Sequence, residues 1–454
     1  MLDRLLRHII RFNHWRKAHL SQNTFLIIAA GLVGVLGGLA ASVMKKLTHL
    51  VADYLQNDLQ GGNKFLLYFL FPIIGLALTT LYLKLFIRRK VFRQGITPVM
   101  ASIRHGRSRL DLHNIYSQII SSALTVGMGG SAGLESPAVA SGASLGSNTG
   151  RLFGLNYRET TLLLASGGAA GIAGAFGSPV AGMIFALEVL LPSITVPAII
   201  PLLLASAVAS VISRLIYNAP LFAYVPGSSS LDNFWVYVLF GIGSGMFSVY
   251  FATMNEFVLK LLGKINHPVQ KIGFGGIALG AMVTVFPALY GEGYITIQNL
   301  LDGNYGSLLE NSLFAHFQGL GWALILFTAL TLVFKAIAPA VTMGSGGNGG
   351  MFGPCVAIGG LLGFFFSFSL NMTGLFHWNV THFIVVGMAG SVSGMMHAPL
   401  TGIFLAAEIT GGYRLMVPLM VVSAISFAIN KHIRGYSIYT KKFLKLKSGI
   451  PEDW

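Results

Sequence analysis

Residues 127–146 read GMGGSAGLESPAVASGASLG, and residues 344–363 read GSGGNGGMFGPCVAIGGLLG. Aligned without gaps, ten of the twenty positions are identical, among them Gly127/Gly344, Gly133/Gly350, Pro137/Pro354 and Gly146/Gly363. Each stretch is a Gly-rich turn leading into a Pro-containing apolar helix start, which suits a helix that begins inside a membrane. The copies differ at one telling place: Glu135 stands in the first where Phe352 stands in the second. Broken apolar helices in duplicate, with one acid between them, point to a transport site.

The duplication reaches further. Residues 167–190 (GGAAGIAGAFGSPVAGMIFALEVL) match residues 387–410 (GMAGSVSGMMHAPLTGIFLAAEIT), keeping Gly167/Gly387, Gly174/Gly394, Pro179/Pro399, Gly182/Gly402 and Glu188/Glu408 in the same order. The chain therefore reads as two related halves, roughly residues 65–215 and 270–430.

Composition sets the solvent. Of 454 residues, 54% are hydrophobic and only 10% charged, and mean hydropathy is +0.70. Apolar runs at 24–44, 65–87, 196–215, 234–262, 273–289, 319–337 and 416–429 approach or exceed the ~20 helical residues that span a bilayer. Runs at 133–155, 162–191, 350–370 and 382–410 are interrupted by Gly and Pro and read as half-helices rather than clean spans. The expected class is an all-α polytopic membrane protein.

The net charge of +15 sits in blocks at 4–17, 84–109 and 431–447 that flank the apolar runs. The positive-inside rule puts these blocks, and with them both termini, in the cytoplasm of a cell whose inner, plasma membrane holds the chain. The mixed loop with Lys45, Lys46, Asp53 and Asp58 is expected outside. Arg4, Arg7 and Arg11 interleaved with Leu5, Leu6, Ile9, Ile10 and Phe12 predict a basic amphipathic helix within residues 1–22, lying on anionic lipid. No aromatic-interleaved basic platform accompanies it, so nucleic acid is not an expected partner. A single cysteine, Cys355, excludes an internal disulfide, and no His pair has metal-ligand spacing on an apolar helix, so neither metal nor cofactor is expected. The first apolar run is a full span, not a cleavable signal peptide. Residues 440–454 make a short tail too small for a regulatory domain.

A Gly-rich turn before a helix start supplies backbone N–H groups without helical partners, and the helix dipole adds positive potential there. The starts at Glu135–Ala138 and Phe352–Val356 should therefore attract an anion through neutral dipoles, without the trap that a buried Lys or Arg would set. Glu135, itself an anion at such a start, can compete for the site until protonated. Two Gly-x-Ser-x-Gly matches, at 129–133 and 142–146, raise an intramembrane hydrolase as a remote alternative, although Gly-rich sequence produces such matches by chance.

These residues resemble the CLC chloride channels and proton-coupled anion exchangers. The family's Gly-x-Glu-Gly-Pro motif corresponds to Gly133-Leu134-Glu135-Ser136-Pro137, and its Gly-x-Phe-x-Pro motif to Gly350-Met351-Phe352-Gly353-Pro354. Ala398 to Ile403 matches a third motif, and Tyr439 falls at the pore tyrosine. The resemblance spans residues 23–439 and implies two inverted halves and a homodimer with one pore per subunit. It implies Glu135 as the gate, and an anion, chloride by default with nitrate or fluoride as alternatives, held by Met351, Phe352 and Tyr439.

The chain departs from the family in three places, the last of them covering two residues. The Gly-Ser-Gly-Ile-Pro motif has Gln94 for its anion-coordinating serine, an amide that can still donate to an anion, or Gly95 if Pro98 is aligned with the family proline. The internal proton-accepting glutamate of many exchangers is Val189 here. Leu134 and Ser136 replace a basic residue and a glycine. Val189 favours a gated channel over an antiporter that also moves protons.

Overall fold

The computed structural model describes residues 13–58, 64–87, 94–191, 196–217 and 234–440, together with residues 11, 92, 193 and 222. Most of the expected N-terminal amphipathic helix and nearly all of the C-terminal tail lie outside them.

The described residues are helical almost throughout, with a single isolated backbone bridge. In chain order the helices are α1 (Gln22–Asp58), α2 (Lys64–Phe86), α3 (Thr97–Arg104), α4 (Asn114–Gly127), α5 (Glu135–Leu152), α6 (Tyr157–Phe176), α7 (Pro179–Phe185) and α8 (Val196–Ile216). There follow α9 (Phe234–Gly263), α10 (Pro268–Val285), α11 (Tyr294–Leu301), α12 (Ser307–Glu310), α13 (Gly321–Lys335) and α14 (Ala338–Gly344). The last are α15 (Phe352–Met372), α16 (Val380–Met396), α17 (Pro399–Thr410) and α18 (Met416–Arg434). Eight helical segments among the described residues are long and apolar enough to cross a membrane.

Two expectations are corrected. Lys45, Lys46 and Asp53 belong to α1 rather than to a loop. Nothing between Ala40 and Asp58 breaks a helix, and the next Gly pair after Gly37-Gly38 comes only at Gly61-Gly62. The run at 350–370 is not a half-helix either, because α15 continues unbroken for 21 residues. Its glycines sit on a packed face and leave the backbone ladder intact.

The breaks that the repeat predicts do occur. α6 ends on Gly177 in the left-handed conformation and α7 starts at Pro179. In the second copy α16 ends on His397, also left-handed, and α17 starts at Pro399. Proline lacks the N–H that would continue the preceding helix, and the left-handed residue turns the chain away.

The chain divides into two compact units, Met1–Val43 with Pro98–Ile119 and Ala138–Ala219, and Met44–Thr97 with Ile120–Pro137 and Pro220–Trp454. Lipid gives helices no hydrophobic reason to associate, so close backbone contact must hold them. In the first unit Gly142 and Gly146 of α5 lie on α6, where a Cβ at Gly146 would stand 1.9 Å from the Leu163 carbonyl oxygen. Gly34 and Gly38 of α1 meet Ala205 and Ala209 of α8 in the same way. Val189 falls in a π-helical turn, Ala186–Leu190, after α7. Arg16, from the basic N-terminal block, is buried and donates to the Phe153 carbonyl beyond α5.

The second unit repeats the device. Gly359 and Gly363 of α15 press on α16, and a Cβ at Gly363 would again stand 1.9 Å from a carbonyl oxygen, that of Phe383. α16 also packs on α9 and α18 through Gly390 against Ser244 and Gly394 against Ser248 and Ser426. The outward faces of these helices carry exposed Trp235, Leu239, Met246 and Met420, as a lipid-facing surface requires.

Candidate functional site at the paired glycine turns

Both Gly-rich turns lie in the second unit, and each is tied off by a threonine that also serves the other. After α4 the Gly130 N–H donates to the Thr125 carbonyl at 2.8 Å, while the Thr125 hydroxyl accepts from the Asn348 N–H at 2.9 Å. After α14 the Gly347 N–H donates to the Thr342 carbonyl, and the Thr342 hydroxyl accepts from the Ser131 N–H, both at 3.1 Å. Thr125 and Thr342, like Ser131 and Asn348, occupy matching positions in the two copies. The arrangement is an exchange between equals, and it satisfies backbone donors that lipid could not.

The exchange continues at the next matching pair. Gly133 N–H donates to Gly350 O at 2.9 Å, and Gly350 N–H donates to Gly133 O at 2.8 Å. This antiparallel bridge sets the starts of α5 and α15 side by side. No side chain fits between them, since a Cβ at Gly133 would stand 2.7 Å from the Gly353 nitrogen.

Into this junction comes the Glu135 carboxylate, only 2% exposed. Its Oε2 accepts from the Gly353 N–H at 3.1 Å, and its Oε1 accepts from the Tyr294 hydroxyl. The acid of one copy therefore occupies an amide at the helix start of the other, as the dipole at a helix N-terminus favours. The amide engaged is that of Gly353, within the expected start Phe352–Val356 and one residue beyond the Met351 and Phe352 that the resemblance implies; both of those are buried at the same turn.

The other expected residues gather here. Ser136 and Tyr439 bring their hydroxyls to 3.4 Å, both buried. Gly95, with φ of 71°, faces Ser136, where a Cβ would lie 3.9 Å from the serine's own. Gln94 is committed elsewhere, its side-chain NH2 donating to the Gly347 carbonyl at 2.7 Å. It fastens the second turn, which leaves Gly95 as the residue turned toward Ser136. Pro137 and Pro354 fall within the first turns of α5 and α15, where a missing N–H costs nothing.

Three residues escape a reading of the sequence. Tyr294 holds Glu135 from the start of α11. Glu292, two residues earlier, accepts the Leu134 N–H at 3.0 Å. Lys335, fully buried at the end of α13, donates to the Ser131 hydroxyl and the Leu289 carbonyl at 3.2 Å, and lies within 3.4 Å of the Ala288 and Gly291 carbonyls. A buried lysine thus backs the first turn, sheathed in carbonyls. The visible signals were an acid between glycines, Gly291-Glu292-Gly293, and one cation ending an apolar run.

The two Gly-x-Ser-x-Gly matches are not nucleophile elbows. The Ser144 hydroxyl donates to Ala140 O within its own helix, and Ser131 lies in the turn just described. Among the described residues no group of His, Cys, Asp and Glu is arranged to hold a metal ion. Glu292, Tyr294 and Tyr290 line a cleft of about 950 Å³ on this unit, together with Lys45 and His49 of α1.

The sequence matches the family described as Voltage gated chloride channel over residues 75–431. It is 28% identical over 436 residues to a putative chloride channel protein, ClcB-like, of Ralstonia nicotianae, an alignment covering 92% of this chain and 96% of that protein. It is 26% identical over 433 residues to an H(+)/Cl(-) exchange transporter, ClcA, of Vibrio campbellii, covering 92% and 88%. The solved structure of a slow cyanobacterial Cl-/H+ antiporter superposes with a TM-score of 0.80 at 22% identity, over 95% of this chain and 99% of that one, a likeness of fold. With the glycine turns, the proline-broken helices and the family match running together through both halves, the chain belongs to the voltage gated chloride channel family.

Proposed function

We propose that the chain carries chloride, or a similar small anion, across a membrane through the junction of the two glycine turns, with Glu135 as its gate. The carrying observation is the Glu135 carboxylate on the Gly353 amide. In that position it occupies a site suited to a small anion, and its protonation removes the charge that competes. Ser136, Tyr439, Met351 and Phe352 complete the anion's surroundings, with Gly95 rather than Gln94 at the position of the family serine. Nitrate and fluoride are the alternative cargoes. The basic flanks support cytoplasmic termini in a plasma membrane, and the resemblance supports a homodimer with a pore in each subunit.

Passive, gated conduction is the first reading, supported by Val189 where many exchangers carry an acid. Proton-coupled exchange is the second, supported by a further carboxylate, Glu292, at the residue before the gate, and by the exchange activity named for the Vibrio relative. Purified protein in liposomes is expected to release chloride when valinomycin shunts potassium; intact protein that releases none removes the anion reading. A chloride gradient that drives protons uphill in the same liposomes decides for exchange over conduction.

Tyr294→Phe provides a sharper check. The hydroxyl steadies the gate in its closed position, and a hydrogen bond to a charged group contributes about 1.5–3 kcal/mol. Its loss is expected to raise chloride efflux at neutral pH by about tenfold, 1.4 kcal/mol being one factor of ten. Efflux equal to that of the wild type would show that Tyr294 does not hold the gate.

A further inference from the structure

We infer that Glu292 is the proton donor to the gate from the cleft side. The inference rests on Glu135 acting as the gate and adds the group that charges and discharges it. Glu292 borders the cleft, so water there can protonate it, and it holds the N–H of Leu134, the residue preceding Glu135. The backbone that Glu292 grips is the one about which the Glu135 side chain must swing when it leaves the Gly353 amide. The same short turn supplies Tyr294, which already binds Glu135. A carboxyl at this place serves the gate directly, whereas a carboxyl needed only to cap the Leu134 amide would have no use for the cleft.

The step balances simply. The O–H bond of the Glu292 carboxylic acid breaks, an O–H bond forms on the Glu135 carboxylate, and Glu292, now anionic, takes a proton from cleft water. Neutral Glu135 releases the Gly353 amide. On the return, Glu292 first gives its proton to cleft water, then takes the proton of Glu135, and Glu135, anionic again, resumes the amide.

Other charges meet Glu292 and set its field. From α1, Lys45, His49 and Asp53 line the cleft, and from α2, Lys64 and Tyr68 do so. Lys335 of α13 lies behind Gly291 and Gly293, Tyr290 and Tyr294 flank it on its own turn, and the Glu135 carboxylate of α5 is close enough to repel it. The cations favour its ionised form and the Glu135 carboxylate opposes it, so a proton shared between the two carboxyls is cheaper than two charges.

The test is chloride efflux from liposomes as a function of pH for the wild type, Glu292→Gln, Glu292→Asp, Glu135→Gln and the double variant Glu135→Gln/Glu292→Gln. Glu292→Gln removes the donor and the neighbouring negative charge, so Glu135 becomes harder to protonate. Its acid activation is expected to move to lower pH by about one unit, a roughly tenfold lower efflux at neutral pH with wild-type efflux at the acid end. Glu292→Asp should recover most of the wild-type profile, and the double variant should match Glu135→Gln. If Glu135→Gln is flat but Glu292→Gln overlies the wild type, the inference fails while the gate stands. Efflux depressed equally at every pH also overturns it, because a merely structural loss would look so. A Glu135→Gln variant that keeps the wild-type profile removes the gate itself, and this inference with it.

Discussion

Liposomes holding the Glu135→Gln variant are expected to release chloride at a rate that no longer follows pH. In the wild type the Glu135 carboxylate sits on the Gly353 amide, under the Tyr294 hydroxyl, so on the proposed reading efflux is expected to fall with rising pH. Acid reverses this: a protonated carboxyl is a poorer partner for a helix-start amide and yields the place to a permanent anion. Glutamine has the shape of the protonated side chain and no charge to regain. Its efflux should stay within about twofold across the range in which the wild type changes by up to about tenfold per pH unit, the limit for one proton. If this reading is wrong, the variant will keep the wild-type slope.

Gly363→Val is expected to yield no folded protein. A Cβ at Gly363 would stand 1.9 Å from the Phe383 carbonyl oxygen and 2.3 Å from its carbon, atoms of a helix backbone that cannot turn aside. Overpacking a core costs about 1–3 kcal/mol where side chains can shift, and here α15 and α16 would have to part along their length. The same substitution at Gly146, against Leu163, should act alike in the first unit. Gly243 is the control: it lies within α9 with open space around it, so Gly243→Ala should be neutral. Size-exclusion chromatography of detergent extracts checks all three, with a monodisperse peak expected only for the control. A monodisperse Gly363→Val peak would mean that the two helices do not meet as closely as described.

The fold was legible because membrane packing writes itself in composition. Apolar runs gave the long helices to within a few residues, as 196–215 became Val196–Ile216 and 234–262 became Phe234–Gly263. Pro179 and Pro399 marked the breaks because a proline cannot join the ladder of a preceding helix. Apolarity was a poor guide where helix formers that are polar carried α1 past Met44, and where glycine meant close approach rather than a bend, as in α15.

The candidate site was half legible. Glu135 and Phe352 stood out because duplication gave each a counterpart to differ from. Tyr294, Glu292 and Lys335 have no such counterpart in the paired stretches, and only the folded chain brings Tyr294 to Glu135 across 159 positions. Gln94 carries an amide that suits an anion by residue type, but in the folded chain that amide is bonded to the Gly347 carbonyl. A donor's chemistry can be read from its letter, but its partner cannot.

The bridge between Gly133 and Gly350 acts as a ruler. From each of these glycines the chain takes one intervening residue, Leu134 or Met351, before its helix begins at Glu135 or Phe352. All three positions that follow each glycine differ between the copies, yet the count does not. One added residue would turn either helix start by about 100° and aim a different amide at the junction. The junction therefore tolerates spelling and forbids insertion: what the two copies hold in common there is a length.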